Sequence, residues 1–234
     1  MRVAERLAEL ASRYDLDEAA VRALAALLEA VGDDPEAPTT IRTPGEAVDA
    51  HLADSLVALE LPAVAAAREI ADLGSGPGFP GMALAAALPA ARVRLVESVA
   101  RKSGFLERTA ARAGIANTEV VHARAEAWDE GRLANDLVTV RAVAPLSVLA
   151  EYAAPLLRDQ GVLVAWKGRR DPQQEADGAY AADELGLELV EIRRVQPFPA
   201  ARERHLHVMR KVAPTPPRFP RRPGMAAKRP LHAA

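Results

Sequence analysis

The chain has no cysteine among its 234 residues, and aromatic side chains make up only 4% of it. Without cysteine there can be no disulfide bond, thiolate metal site or cysteine nucleophile. No stretch approaches the roughly eighteen uncharged apolar residues that a membrane-spanning helix needs. The first nine residues mix Arg with Glu and lack a long apolar region, so we expect no signal peptide. These absences predict a cytoplasmic protein without membrane contact.

Charge is unevenly distributed along the chain, although the formal net charge is only −2. Five of the 30 basic residues and none of the 32 acidic residues follow Val212. The five are Arg218, Arg221, Arg222, Lys228 and Arg229. A basic, proline-rich tail is typical of a segment that binds a polyanion such as RNA, or of a solvated, disordered terminus. Charge alone does not separate these two interpretations.

The N-terminal part of the chain predicts helices. Apolar residues recur at helical spacing on one face: Leu24, Leu27, Leu28 and Val31. Asp15 followed by Glu18 predicts a capping box at the start of this helix. Thr-Pro-Gly-Glu at 43–46 predicts the start of another helix that runs to about Leu59. We therefore assign residues 1–62 to an N-terminal helical extension.

Short apolar segments alternate with helical segments from Ile70 onward. The predicted strands are Glu69–Leu73, Val93–Glu97, Thr118–Val121, Asp136–Arg141, Val162–Lys167, Leu187–Val195 and His205–Val212. The predicted helices are 81–88, 100–113, 146–157 and 172–183. This alternation predicts an α/β fold with a doubly wound, mostly parallel, seven-stranded sheet. No helix separates the last two strands, which indicates antiparallel pairing at the sheet edge. We assign 63–212 to this domain and 213–234 to a basic tail.

The most informative segment is 70–81, Ile-Ala-Asp-Leu-Gly-Ser-Gly-Pro-Gly-Phe-Pro-Gly, which follows a predicted strand. Glycines 76, 78 and 81 fit the G-x-G-x-x-G pattern of dinucleotide-binding loops. Glycines 74, 76 and 78 fit the acidic-x-G-x-G-x-G loop of S-adenosylmethionine-dependent enzymes. A glycine-rich turn with only a packing role would look similar. No Gly-Lys-Ser/Thr follows, so the loop is not a P-loop for nucleoside triphosphates.

Residues around this loop favour S-adenosylmethionine over a dinucleotide. Asp72 and the early Gly74 suit S-adenosylmethionine better than a dinucleotide. Pro77 and Pro80 interrupt the entry to a helix that would bind pyrophosphate at its N-terminus. Glu97 closes the next strand, where a carboxylate can accept the ribose hydroxyls of either cofactor.

Further candidate residues follow the later strands. Ala125 and Glu126 come after the third strand, where they would lie near the adenine, although ordinary loop residues are the alternative. Arg141 and Lys167 end the fourth and fifth strands, whose carboxyl ends border the ligand crevice. Two cations there favour an anionic substrate such as a nucleic-acid backbone. Structural pairing of Arg141 with a carboxylate is the alternative.

Three polar residues, His51, Asp54 and Ser55, share one face of the predicted helix because they lie at i, i+3 and i+4. One interpretation is that they form an interface with the ligand crevice or with a bound RNA. The other is that they form a packing cluster that docks the N-terminal helices on the sheet. We favour the packing cluster. The cluster offers too few ligands for a metal site.

In order along the chain, these motifs resemble the bacterial small-subunit ribosomal RNA methyltransferase G family, also called glucose-inhibited division protein B. The matching segments are His51–Ser55, 72–81, Glu97, Arg101-Lys102, Phe105-Leu106, Arg-Ala-Glu at 124–126, Arg141-Ala142, Lys167-Gly168 and Phe219–Leu231. The resemblance covers about residues 44 to 231, and the Gly-Phe-Pro-Gly form of the loop is its most specific part. Residues 30–43 depart from the family pattern, since Glu36–Ile41 stands where the family usually has a Trp-containing helix end and an Asn-Leu-Thr.

The resemblance implies a class I, Rossmann-like methyltransferase that transfers a methyl group from S-adenosylmethionine to N7 of a guanine in 16S rRNA. The implied cofactor contacts are Gly74, Phe79, Glu97, Ala125, Glu126 and Arg141, and Gly76 of the same loop is included with them. The implied partner is 16S rRNA or the 30S subunit, and we expect a monomer without a metal. A non-catalytic S-adenosylmethionine- or RNA-binding protein and an NAD-dependent oxidoreductase are the alternatives.

The implied reaction requires little acid–base catalysis by the protein. N7 of guanine carries a free lone pair and no proton, so no general base is required. Proximity and alignment can supply most of the rate enhancement. The chain also lacks the Asn/Asp-Pro-Pro-Tyr/Phe motif of exocyclic-amine methyltransferases. We expect Arg141 and Lys167 to position rRNA phosphate or guanine O6.

Overall fold

The computed structural model describes residues 3–141 and 144–233. The strands are β1 (Glu69–Leu73), β2 (Arg92–Glu97), β3 (Thr118–His122), β4 (Asn135–Arg141), β5 (Leu157–Lys167), β6 (Leu187–Arg194) and β7 (His205–Lys211). The α-helices are α1 (Val3–Tyr14), α2 (Glu18–Asp33), α3 (Pro44–Ala47), α4 (Asp54–Leu56), α5 (Pro62–Ala65), α6 (Gly81–Ala87), α7 (Ala100–Ala113), α8 (Leu146–Ala153), α9 (Pro172–Glu184) and α10 (Met225–Lys228). The predicted strands and main helices are confirmed.

The strands form one seven-stranded sheet in the order β3-β2-β1-β4-β5-β7-β6. Strands β1 to β5 pair in parallel, whereas β7 pairs antiparallel with both β5 and β6. The predicted fold class is therefore confirmed, with β6 as the edge strand. After β3 the chain returns to the other side of β1, so the strand order reverses between β1 and β4. Such a reversal opens a crevice at the carboxyl ends of the strands.

Both faces of the sheet are covered because its central strands are apolar on both sides. Ile70 of β1 belongs to a core that includes residues of α2, α6 and α7. Its neighbour Ala71 belongs to a second core, shared with α8 and α9. Alternating side chains of one strand thus anchor helices on opposite faces. These two layers hold the strand ends, and the loops that follow them, in fixed positions.

The start of α2 differs from the predicted capping box. Asp17 is the N-cap, and its side chain accepts the backbone N–H of Ala20. Asp15 instead has a positive φ of 52° in the turn after α1. Glu18 is consequently the first residue of the helix rather than its third, so it cannot close a capping box around Asp15.

The second predicted N-terminal helix is present, but it is not regular. Thr43 is the N-cap and Pro44 occupies the first turn, as predicted. The Thr43 hydroxyl donates to the Glu46 carboxylate at 2.7 Å rather than accepting a backbone N–H. The chain then passes through a π-helical segment at 48–53, through α4 and through a 3₁₀ turn that ends at Glu60.

The segment 146–157 is shorter as a helix than predicted. The α8 helix ends at Ala153, and β5 begins at Leu157 instead of Val162. Gln160 has a φ of 61° within this strand, close to Gly161. The turn-like sequence at 157–161 therefore lies inside the sheet.

The C-terminal segment packs against the body of the protein. Phe219 is buried in the core formed with α8 and α9, and Leu231 packs against the same core. The assignment of 1–62, 63–212 and 213–234 as separate units remains a prediction. Across residues 3–141 and 144–233, none of the helices has the length and apolar character required to span a membrane.

Candidate cofactor and substrate site

The loop after β1 owes its shape to its glycines. Gly74, Gly76 and Gly78 have φ values of 66°, 52° and 96°, in the left-handed region that glycine adopts without strain. At Gly81, where α6 begins, a Cβ atom would lie 2.4 Å from Leu95 Cδ2 and 2.8 Å from Asp72 Oδ2. The absence of a Cβ at Gly81 therefore lets the end of the loop pack closely against β1 and β2.

Asp72 connects the loop to the sheet. Its side chain is 1% exposed and accepts the Thr139 hydroxyl at 2.7 Å and the Gly81 N–H at 3.2 Å. Burial raises the pKa of Asp72 to about 6, and the hydrogen bonds from Thr139 and Ser75 oppose this increase. The acid of the sequence motif thus joins β1, β4 and α6 and holds the loop in place.

Glu97 lies beside the same loop at the end of β2. Its carboxylate accepts the Gly76 N–H at 3.2 Å through Oε2 and the Val99 N–H at 2.9 Å through Oε1. A carboxylate has about four lone-pair sites, so two backbone donors leave acceptor capacity for further hydroxyl groups. The Glu97 side chain, which is predicted to bind ribose, is therefore held in position by the glycine loop.

A cavity of about 170 Å³ opens between the ends of β1, β2, β3 and β4. Its lining residues include Leu73, Gly74, Val96, Ser98, Ala125, Glu126, Val140 and Tyr152. The walls are mainly apolar, and one acidic residue, Glu126, and one basic residue, Arg124, also line the cavity, a set that suits a nucleoside. Gly74, Ala125 and Glu126 line it as the sequence predicts. Gly76 and Glu97 are not among the lining residues, but Glu97 lies between Val96 and Ser98, which are.

Phe79, which belongs to the glycine loop, and Arg141 lie on the side of the loop away from this cavity. The Phe79 ring stacks on His51 with ring centroids 4.6 Å apart and an interplanar angle of 12°. The Arg141 guanidinium lies 5.7 Å from the Phe79 centroid. The π-helical segment at 48–53 and β4 thus converge on this aromatic ring.

Arg141 is paired with an acidic residue, as the alternative interpretation holds. Its Nη1 donates to Asp54 Oδ2 at 3.1 Å and to the Ala50 carbonyl at 3.3 Å. The other Asp54 oxygen accepts from Arg204 Nε at 3.3 Å, and the Asp54 carbonyl accepts from Trp166 Nε1 at 2.7 Å. Asp54 therefore holds two arginines and a tryptophan at the carboxyl edge of the sheet.

These residues line a second cavity, of about 370 Å³, which we call the cationic pocket. It is lined by Ile41, Ala50, His51, Asp54, Arg141, Trp166, Lys167, Gly168 and Arg204. Lys167 donates to the Ala144 carbonyl at 2.9 Å, and burial lowers its pKa. Three cations against one carboxylate leave the pocket positive, which suits an anionic or electron-rich substrate.

The cluster of His51, Asp54 and Ser55 serves two purposes. The Ser55 hydroxyl is buried and donates to the His51 carbonyl, so this residue packs within the helix as expected. His51 and Asp54 are also buried, and Asp54 docks its helix on β4 and β5 through Arg141 and Trp166, in agreement with the packing interpretation. Both residues line the cationic pocket as well.

Arg204 is the site residue that sequence reasoning missed. It directly precedes β7, which runs antiparallel to β5. The amino end of an antiparallel strand lies beside the carboxyl ends of its parallel neighbours. That topological signal would have placed Arg204 next to Lys167. Ala142, part of the Arg141-Ala142 match, lies outside the described residues.

The tail residues proposed to bind RNA differ in their surroundings. Arg218 pairs with Glu184 at 2.5 Å and Arg221 with Glu151 at 2.6 Å. Among residues 3–141 and 144–233, no ion pair is formed by Arg222, Lys228 or Arg229. Their part in RNA binding stays a prediction.

Comparison with known proteins identifies the family. The model of rRNA small subunit methyltransferase G matches residues 36–206. The chain belongs to this family. A relative from Lacticaseibacillus paracasei is 38% identical over 202 residues, covering 84% of this chain and 83% of that protein. One from Rubrobacter xylanophilus is 40% identical over 196 residues, covering 81% of this chain and 75% of that protein. Both are named ribosomal RNA small subunit methyltransferase G, so the resemblance seen in the sequence is confirmed.

Solved structures support the fold. A predicted O-methyltransferase from Agrobacterium tumefaciens aligns with a TM-score of 0.51 and 28% identity, over 70% of this chain and 81% of that one. A 16S rRNA (adenine-N1)-methyltransferase from Catenulisporales acidiphilia, solved with its cosubstrate S-adenosylmethionine, aligns with a TM-score of 0.51 and 19% identity, over 65% of this chain and 89% of that one. The family shares its Rossmann-like sheet with these methyltransferases.

Proposed function

We propose that the chain transfers a methyl group from S-adenosylmethionine to N7 of a guanine in 16S rRNA. Membership in the rRNA small subunit methyltransferase G family supports methyl transfer to small-subunit rRNA. The choice of guanine N7 rests on the sequence motifs that resemble this family.

The cavity beside the glycine loop suits the adenosine part of the cofactor. When bound, S-adenosylmethionine supplies an electrophilic methyl group on a sulfonium sulfur. Gly74, Ala125 and Glu126 line the cavity, and Glu97 is held at its border by Gly76. Carboxylates accept hydrogen bonds from ribose hydroxyls and from the adenine amine, so the residues present fit this group.

The position of Phe79 between the two cavities is the main observation that supports this proposal. It belongs to the glycine loop, yet its ring contacts His51 and Arg141, which line the cationic pocket. A ligand in the loop cavity and a base in the cationic pocket would therefore approach each other at Phe79. Bringing the two reactants together in this way is the main contribution that an in-line methyl transfer requires.

The pocket binds and orients rather than moving protons. Guanine N7 has no proton to remove. Burial and the nearby Arg141 lower the pKa of His51 to about 4, so its ring is neutral near pH 7. Arg141 and Lys167 are placed to bind phosphate or guanine O6, and Arg204 adds a third cation.

Methyl transfer can be tested directly with ribosomal subunits. The purified protein and labelled S-adenosylmethionine are incubated with 30S subunits, or with naked 16S rRNA, from a strain that lacks the enzyme. We expect label at one guanine N7, and strongly reduced transfer by the Arg141→Ala/Lys167→Ala double variant with its cofactor affinity measured alongside. Unchanged transfer by the double variant would remove these residues from the proposal.

The same experiment separates the alternatives. Cofactor binding without methyl transfer to either RNA form would favour a non-catalytic binding protein. Tight NADH binding without S-adenosylmethionine binding would favour an oxidoreductase. Comparison of the two RNA forms would identify the substrate. We propose that the enzyme acts in the cytoplasm. We also propose that it is a monomer, and sedimentation at micromolar concentration would test this oligomeric state.

A further inference from the structure

The C-terminal segment reaches the cavity beside the glycine loop. The Gly224 N–H donates to Glu126 Oε1 at 2.9 Å, and Glu126 lines that cavity together with Tyr152. Within the described part of the chain, Glu126 Oε2 receives no hydrogen bond. One carboxylate oxygen is thus held by the tail, and the other retains its acceptor capacity.

A buried ion pair fixes the tail just before this contact. Glu151 of α8 is 1% exposed, and its carboxylate accepts three N–H groups of Arg221. The donors are the backbone N–H at 3.0 Å, Nε at 2.9 Å and Nη2 at 2.6 Å. This fork-like arrangement is the most directional form of an arginine–carboxylate pair. Glu151 directly precedes Tyr152 on α8, and Tyr152 lines the cavity.

The neighbouring ion pair of the tail is different. Arg218 donates to Glu184 on α9, and both side chains are substantially exposed. Arg218 and Arg221 both lie over the ring of the buried Phe219, at 4.8 and 6.0 Å from its centroid. The two arginines therefore share a segment and an aromatic contact, but only Arg221 is anchored beside the cofactor cavity.

We propose that the segment 219–224 is part of the cofactor site. The Arg221–Glu151 pair fixes the segment, the Gly224 N–H orients Glu126, and the second Glu126 oxygen accepts the exocyclic amine of adenine. Arg221 and Glu151 are then positioning residues that determine adenine selectivity. This inference rests on the proposed use of S-adenosylmethionine.

The test measures binding rather than activity. Dissociation constants for S-adenosylhomocysteine and for S-inosylhomocysteine, which lacks the exocyclic amine, are determined by calorimetry. The Arg221→Met variant keeps the length of the side chain but removes the pair, and Arg218→Met is its matched control. We expect Arg221→Met to weaken S-adenosylhomocysteine binding about five- to thirtyfold and to reduce discrimination against the inosine analogue. Arg218→Met should keep both constants within about twofold.

The outcomes separate this inference from the proposed function. If the wild-type protein binds neither ligand, the proposed function itself fails. If the wild type binds and selects adenine while Arg221→Met behaves identically, or Arg218→Met loses as much, only the inference is overturned. Should Arg221→Met not fold by circular dichroism, Arg221→Lys and Glu151→Gln replace it, and a smaller loss of selectivity in both is expected. Unchanged selectivity in both would equally overturn the inference.

Discussion

His51 lies in surroundings that keep its imidazole ring neutral. Its side chain is 5% exposed, stacks on Phe79 and accepts or donates a hydrogen bond with Thr39 Oγ1 at 3.2 Å. Burial lowers the pKa from 6.5 to about 4, and the positive charge of Arg141 contributes to this decrease. A neutral aromatic ring in the cationic pocket offers a flat surface without adding repulsion toward Arg141.

This pKa shift predicts a pH-dependent stability. In the unfolded chain His51 titrates near 6.5, whereas in the folded protein it titrates near 4. Between these values the unfolded state binds more protons, so the contribution of His51 to the free energy of unfolding decreases as the pH falls from 6.5 to 4. Above 6.5 the residue is neutral in both states and its contribution is constant.

The His51→Phe variant retains an aromatic ring but cannot titrate. We expect the stability difference between wild type and variant, measured by urea unfolding, to shift in favour of the variant as the pH falls from about 7.5 to about 5. The other titrating groups are common to both proteins and cancel in this comparison. A difference that stays constant over this range would show that His51 titrates normally in the folded state.

Residues whose position follows from a strand end could be predicted, and residues brought in by tertiary pairing could not. Glu97, Arg141 and Lys167 were found because parallel strands end at the same edge of the sheet. The ion pairs of Asp54 with Arg141 and Arg204 join positions that are 87 and 150 residues apart. No local pattern encodes such a pairing.

At the scale of elements, the β1–loop–α6 unit depends on how closely its parts pack. A Cβ on Gly81 would overlap Leu95 of β2 and Asp72 of β1. Both neighbours are side chains buried in the close-packed interior, so they cannot move aside easily. Gly81 is thus required for the close packing of this unit.

The substitution Gly81→Ala should therefore destabilise the protein by about 1–3 kcal/mol and weaken S-adenosylhomocysteine binding. Gly104→Ala is the matched control, because Gly104 lies within α7 and its Cβ would meet only Arg108 Nη1 at an ordinary 3.5 Å. Replacing a helical glycine by alanine is favourable by up to about 1 kcal/mol. Equal effects of the two substitutions in urea unfolding would contradict the packing argument.

The presence of the helices and strands was easier to predict than the residues at which they begin and end. Apolar periodicity identified all seven strands, since a buried parallel sheet requires continuous apolar segments. It did not identify the π-helical segment at 48–53, which brings His51 to the pocket. It also placed the start of β5 too late, because the polar residues at 158–160 lie on an exposed part of that strand.

On the scale of the whole molecule, the basic tail is divided between two environments. Arg218 and Arg221 form ion pairs with the body of the protein. Arg222, Lys228 and Arg229 are all exposed. The tail therefore docks through two cations and presents the remaining three to solvent. Composition revealed the tail's charge, but only its contacts with α8 and α9 reveal this division.

This division makes a prediction for RNA affinity that tail deletion would obscure, because deletion also removes the docked Phe219. We expect the triple variant Arg222→Gln/Lys228→Gln/Arg229→Gln to bind 16S rRNA more weakly. Each phosphate that the variant no longer neutralises should reduce the slope of log affinity against log salt by about 0.7 to 1. Cofactor affinity should fall less than in Arg221→Met, because none of the three residues lines the cavity or forms the Arg221–Glu151 pair.

The control variant removes three positive charges from parts of the protein outside the tail. Arg92 begins β2 and Arg132 precedes β4, so both lie at the opposite edge of the sheet, and Arg22 lies on α2. Replacing these three by Gln should leave the salt slope near the wild-type value, because none of them lines the cofactor cavity or the cationic pocket. If both triple variants lower the slope equally, net charge rather than the tail governs RNA binding. If neither does, RNA affinity comes from the cationic pocket and not from the tail.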